Sequence, residues 1–231
     1  MFALNGIFVM SIAWISLSVG AYLISLFAYQ KAKNHPAMHP LIGSTVIVIA
    51  SVHFWGIEFE AYQQYAWLLA FMLGPATVAL AIPLYNQLRV LVRLGWRVVL
   101  PICVGGTLAP LLAWISIYFF DTPINLQMTM LVKSITTPLA MSTAQAIGGV
   151  ASLAAVFVIL TGIVGAIFGP LVFRLSGNHS HMAQGIALGS VAHAIGTSKA
   201  ITISESCAAF ATLAVCLNGI ITAIVLPLLF G

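Results

Sequence analysis

Residues 131–149, LVKSITTPLAMSTAQAIGG, set a lysine, a run of hydroxyls and a proline inside a chain that is otherwise almost wholly apolar. A charged side chain at the centre of a bilayer costs about 2.5 to 3.5 kcal/mol even on the mildest scales, so Lys133 must face a cavity, a partner or the interface. Pro138 has no N–H and disfavours helical geometry at Thr137. The pair therefore predicts a helix that stops near Thr136 and restarts at Pro138, with Thr137 as N-cap and Pro138 at the first helical position. A helix broken at membrane depth is tolerated only where protein or a water-filled cavity satisfies the freed backbone groups, the arrangement found in transporter binding sites.

That reading presupposes a membrane, and the composition requires one. Hydrophobic residues make up 61% of the 231 and charged residues 5%, against about a quarter charged in a soluble domain. The length holds roughly eight segments of about 20 residues. The chain is thus expected to be all-α and polytopic, a single transmembrane domain over 1–231 with two of its segments discontinuous or re-entrant and two related halves. The net charge of +4 comes from dispersed Lys and Arg with no basic helix face, which argues against nucleic acid as a partner. Cys103, Cys207 and Cys216 lie in apolar runs without CxxC spacing and read as small packing residues. No basic n-region precedes the first apolar run, so the first helix is expected to be retained.

In chain order, 5–28 reads as the first span, and the loop 29–40, carrying Lys31 and Lys33, should be cytoplasmic. His35 and His39 have metal-pair spacing, but Pro36 and Pro40 argue against a helix there, and no metal is expected. Residues 41–57 form the second span, and EFEAYQQY (58–65) is an interfacial piece. The run 67–88 is punctuated by Gly74, Pro75 and Pro83, which predict helix breaks. Arg89, Arg93 and Arg97 read as an interfacial anchor. Residues 98–120 and 150–175 are further spans, the latter with Gly165 and Gly169 in helix-packing spacing.

Residues 183–204 repeat the chemistry of the opening stretch: His193 sits mid-run, Gly196 is expected to break the helix, and Thr197, Ser198 and Lys199 follow. Residues 206–230 form the last span. If 131–149 turns back to the side it came from, six of the eight cations fall inside and all four acids outside. The ordering predicts an external N-terminus, a cytoplasmic C-terminus, and 89–97 and 176–184 on the cytoplasmic face. Lys133 and Lys199 are left over, one in each broken stretch. They are expected to meet near the midplane, where Ser134, Thr136, Thr137, Pro138, His193, Gly196, Thr197 and Ser198 complete an anion site at half-helix N-termini.

LGPATVALAIPLY (73–85), KSITTPLAM (133–141) and GSVAHAIGTSKA (189–200) resemble the motif regions of the LrgB/CidB family over essentially the whole chain. The resemblance implies a multi-pass protein of the bacterial plasma membrane, described in that family as antiholin-like or holin-like and paired with a small LrgA/CidA-like membrane protein. The related plant plastidic glycolate/glycerate translocator implies carboxylate transport for the fold. Lys199 stands where relatives can carry arginine, which keeps the charge without bidentate geometry. The residues themselves favour an anionic substrate, since Glu58, Glu60, Asp121 and Glu205 all read as interfacial. We therefore expect a transporter or facilitator of small monocarboxylates of the glycolate, glycerate, lactate or pyruvate class, with the antiholin-like role as the alternative. A homo-oligomer, most simply a dimer, is expected, with no cofactor. Ser190, Ser198 and His193 lack an orienting carboxylate, so no enzyme is expected.

Overall fold

The computed structural model describes residues 2–32, 38–79 and 81–231, leaving aside the side chains of 2–7, 76, 77, 83, 84, 86–88 and 90. Lys33 and His35 of the first loop lie outside the described residues. The described chain is helical, and its contacts gather into two compact units, up to Ala76 and from Thr77 onward.

In the first unit, α1 (Phe2–Lys31) packs on α2 (Pro40–Phe54) and on α3 (Phe59–Tyr65). α2 and α3 are bent by 116° where the chain leaves the apolar run and enters the acidic, aromatic piece. Trp14 is buried and stacks edge-on against both Trp55 and Tyr62 at 5.6 Å. The Tyr62 hydroxyl lies 3.0 Å from Ser18 Oγ, which fixes the short helix at its expected place. α4 (Trp67–Ala79) begins in this unit. Gly74 and Pro75 do not break it: the helix runs through Pro75, and α5 (Ala81–Leu94) follows residue 80, which lies outside the described residues. Pro83 lies inside α5, which runs through it.

The second unit holds α5, α6 (Trp96–Tyr118), α7 (Ile124–Leu131), α8 (Thr137–Ala146), α9 (Ala151–Leu175), α10 (His181–Ile201) and α11 (Glu205–Phe230). α5 is amphipathic: Leu91 and Leu94 pack on Val98, Ile102 and Leu213, while Arg89, Arg93 and Arg97 are exposed, as an interfacial anchor requires. Among the described residues four helices, in α1, α6, α9 and α11, are long and apolar enough to cross a membrane, or five if the bent pair counts as one span. About eight such segments were expected from composition. Of the others, the run 67–88 is divided at residue 80, which lies outside the described residues, and α7, α8 and α10 are short or polar and form the buried elements. α10 is the innermost, covered by α9, α11 and α6. Its neighbours carry exposed apolar stripes at three- and four-residue spacing, Leu100, Val104, Leu108 and Leu111 on α6 and Val156, Leu160, Val164 and Ile167 on α9, as lipid-facing helices do.

Glycines set how closely α10 is held. A Cβ at Gly169 would strike Leu188, and one at Gly162 would meet the His193 ring at 2.7 Å. On the other side, Gly185 and Gly189 lie against the backbone carbonyls of Cys207 and Ala211. The Gly165–Gly169 spacing is therefore a packing motif, with Ala192 and Leu188 of α10 as its partners.

Candidate functional site

The second unit has two ends, which its contacts identify. Phe173 of α9, Cys207 of α11 and Ala200 share one cluster, and the starts of α6, α10 and α11 lie toward the same end. Trp114, Met128, Ala154 and Leu226 share another cluster, formed where α6 and α11 finish and α9 begins. Arg97 and Arg174 belong to the first end, Gly231 to the second.

From the second end, α7 runs inward to Leu131, and the chain then leaves helical geometry for residues 132–136 before α8 carries it back. The return is closed by Thr129, whose Oγ1 donates to the Asn125 carbonyl at 2.6 Å and accepts from Val150 N–H at 2.8 Å. Gly148, at φ +78, ends α8 in the left-handed conformation that few other residues adopt readily. The break is wider than Pro138 alone suggests: the helix stops at Leu131 rather than Thr136, Thr136 rather than Thr137 is the N-cap, and Lys133 lies in the break itself.

From the first end, α10 runs inward to His193 and turns back there. His193 has φ 41 and ψ −132, a conformation that costs a non-glycine residue about 1–3 kcal/mol. The ring compensates: Nε2 donates to the Val158 carbonyl at 2.8 Å, and the residue is buried. The expectation that Gly196 breaks the helix is corrected. The reversal is at His193, and Gly196 is needed because its Cα comes back against the Leu188 carbonyl, where a Cβ has no room. Thr197 Oγ1 donates to the His193 carbonyl at 3.0 Å and Ser198 Oγ to the Ala194 carbonyl at 3.2 Å, each bonding back four residues along the helix that follows the turn. This second reversal also corrects the topology. α11 starts at the arginine end and finishes at the other, so Glu205 lies with Arg97 and Arg174, and the C-terminus is on the side opposite to them.

Asn218, in the middle of α11, holds the two reversals together. Its Nδ2 donates to the Ser134 carbonyl at 3.2 Å and to the Ser190 carbonyl at 3.0 Å, while Oδ1 accepts from Thr222 Oγ1 at 3.4 Å. The amide fits only because Gly106 of α6 has no side chain. Beside it, Lys133 Nζ donates to Ser134 Oγ at 3.3 Å and makes no ion pair among the described residues. Thr136 Oγ1 and Ser190 Oγ are buried without a hydrogen-bond partner. The assembly thus presents an ammonium and two unused hydroxyls at the depth where two chain ends freed from helical bonding meet. That chemistry suits a small anion.

The structure does not bring Lys199 to Lys133. Ser134 is level with Asn218, whereas Ala200 packs level with Cys207, 11 residues earlier on α11. That separation is about 16 Å of helix. Thr137 and Pro138 are half-buried at the start of α8 and belong to the Lys133 side. Sequence reasoning missed Asn218, although an asparagine in the apolar run VCLNGIIT is itself a signal, since a polar amide in mid-span needs partners.

No solved structure matches this chain. Relatives by sequence do. The uncharacterized protein YxaC of Bacillus subtilis (strain 168) is 36% identical over 191 residues, 83% of either chain. YwbG of the same organism is 32% identical over 93% of this chain and 95% of its own. The antiholin-like protein LrgB of that organism is 29% identical over 92% of each. The model of the LrgB-like family matches residues 18–231, and the chain belongs to that family.

Proposed function

We propose that this protein moves a small monocarboxylate of the glycolate, glycerate, lactate or pyruvate class across the bacterial plasma membrane, holding the carboxylate at Lys133 where the two reversals meet. The observation that carries the reading is the ammonium of Lys133, unpaired with any carboxylate among the described residues and bonded to Ser134, whose carbonyl takes part in the Asn218 bridge. A lysine at this depth is costly unless an anion compensates it. Two reversals entering from opposite ends also suit alternating access, and they support the view that the domain is built of two related halves. Association as a dimer and pairing with a small LrgA/CidA-like membrane protein belong to the same proposal. The test is uptake of labelled lactate, pyruvate and glycolate into proteoliposomes. Saturable uptake that Lys133→Ala abolishes supports transport.

The names of relatives favour a second reading, an antiholin-like role, which the family resemblance would make a modulator of murein hydrolase activity and autolysis. The same vesicles distinguish the two: release of an unrelated neutral dye without saturable carboxylate uptake supports the regulator and sinks the transporter.

A further inference from the structure

A cavity of about 360 Å³ lies between α6, α7 and α11, all within the second unit. Along α11 it runs from Asn218, halfway down the helix, to Phe230 at its end. Those two residues are about 18 Å apart along the helix, close to the depth of one leaflet, about 15 Å, half of the hydrocarbon core. The wall is apolar over that length, with Leu111 and Trp114 from α6, Met128 and Leu131 from α7, and Val225 and Leu226 from α11. At the inner end the Asn218 amide already donates to the Ser134 and Ser190 carbonyls, and Thr222 Oγ1 donates to Asn218 Oδ1. The mouth opens between two lipid-facing helices, since Leu111 of α6 and Val225 and Leu229 of α11 line the cavity and are exposed.

The geometry points to a resident phospholipid: one acyl chain of the leaflet on the C-terminal side enters between α6 and α11 and fills this cavity as far as Asn218. Water is a poor occupant, because a buried water needs about two to four polar partners, and the Asn218 and Thr222 groups are engaged with one another and with the two carbonyls. A helix of a second copy is too large: about 10 Å across and 18 Å long, it fills roughly 1,400 Å³. A single chain fits. An apolar cavity of about 150 Å³ holds a benzene ring, and on that scale this one has room for about a dozen carbons. The driving force is packing rather than removal from water, since lipid already surrounds the protein: α6 and α11 lose dispersion contacts along an empty gap and regain them with a chain in it. The inference is independent of the anion site at Lys133.

The experiment places the purified protein in vesicles of palmitoyl-oleoyl phosphatidylcholine doped with the same lipid carrying a diazirine in the distal half of one acyl chain, and maps the photoadducts. Met128 and Leu131 line the cavity but are only 9% and 5% exposed, out of reach of lipid on the outer surface. Adducts at Met128 or Leu131 are expected, alongside adducts on the outer stripe of α9 at Leu160 and Val164. Leu111→Trp and Val225→Trp, which fill the cavity from α6 and from α11, should each remove the α7 adducts and leave those on α9 unchanged. Wild-type adducts confined to outer residues overturn the inference. Adducts on α7 that persist in both filled variants overturn it too, because lipid then reaches them by another route. The wild-type map needs no substitution, so it decides the matter even where a filled variant fails to fold.

Discussion

Gly106 and Asn218 define a contact whose energetics can be isolated. A Cβ at position 106 would overlap the Asn218 amide, and the amide cannot retreat without giving up its bonds to the Ser134 and Ser190 carbonyls at 3.2 and 3.0 Å. Gly106→Ala should therefore cost about 1–3 kcal/mol, the usual range for overpacking. Asn218→Ala removes three hydrogen bonds, each worth about 0.6 kcal/mol inside membrane proteins, and orphans two carbonyls at about 1–3 kcal/mol each where nothing replaces the donor. In the double variant the new methyl enters the space the amide has left, so the pair should be no less stable than Asn218→Ala alone. The coupling energy is then about 1–3 kcal/mol, against the 0.3–0.5 kcal/mol scatter of independent sites. Unfolding in mixed micelles followed by tryptophan fluorescence measures it. Additive penalties would show that Asn218 does not occupy the space beside Gly106, and the bridge between the reversals would be lost with it.

Three other outcomes are expected. Burial lowers the affinity of His39 for a proton, and its Nδ1 accepts from Leu41 N–H, so the neutral ring caps α2. The folded-state pKa lies below the unfolded 6.5, so stability is full above that value and falls as pH drops from it toward the folded pKa. The opening free energy at Leu41–Ser44, from amide exchange corrected for the intrinsic pH dependence, should fall from pH 7.5 to 5.5 by about 0.5–2 kcal/mol of lost capping, and His39→Asn should remove the dependence. Gly189→Val drives two methyls into the Ala211 carbonyl and should cost at least about 2 kcal/mol, read as lost folded yield on size-exclusion chromatography, with Gly20→Val, where nothing lies within 4 Å of the added Cβ, unchanged. Cysteines placed at Asn178 and Gly231 should label from opposite sides of the membrane, and Asn125 should label with Gly231. Asn178 and Gly231 labelling together would contradict the reversal at His193.

The first reversal was legible because it breaks two rules at once, a lysine at membrane depth and a proline in a helix. Its boundaries were not, since proline sterics act on one neighbour and the wider break depends on Asn218 accepting the role of donor to Ser134. The second reversal was read as polar but its hinge was misplaced. Glycine is the residue local propensity nominates for a turn, yet here tertiary contacts hold His193 in the strained conformation, and Gly196 serves close approach. Missing that turn cost one crossing, which is why the C-terminus was expected on the wrong side. Gly74 and Pro75 illustrate the opposite error, a break signal that the helix absorbs. A cavity of about 360 Å³ lined by α6, α7 and α11 could not have been found in the sequence at all, because it is a property of three helices from distant parts of the chain.

The most direct test of the central claim compares Lys133→Ala with Lys199→Ala in one assay, lactate- or pyruvate-dependent stabilisation of the purified protein. A ligand at 100 times its Kd should stabilise the wild type by about 2.7 kcal/mol. That stabilisation should vanish in Lys133→Ala and persist in Lys199→Ala, which lies about 16 Å along the unit. Stabilisation that survives in Lys133→Ala, or that disappears equally in both, would contradict a carboxylate site built on the first reversal.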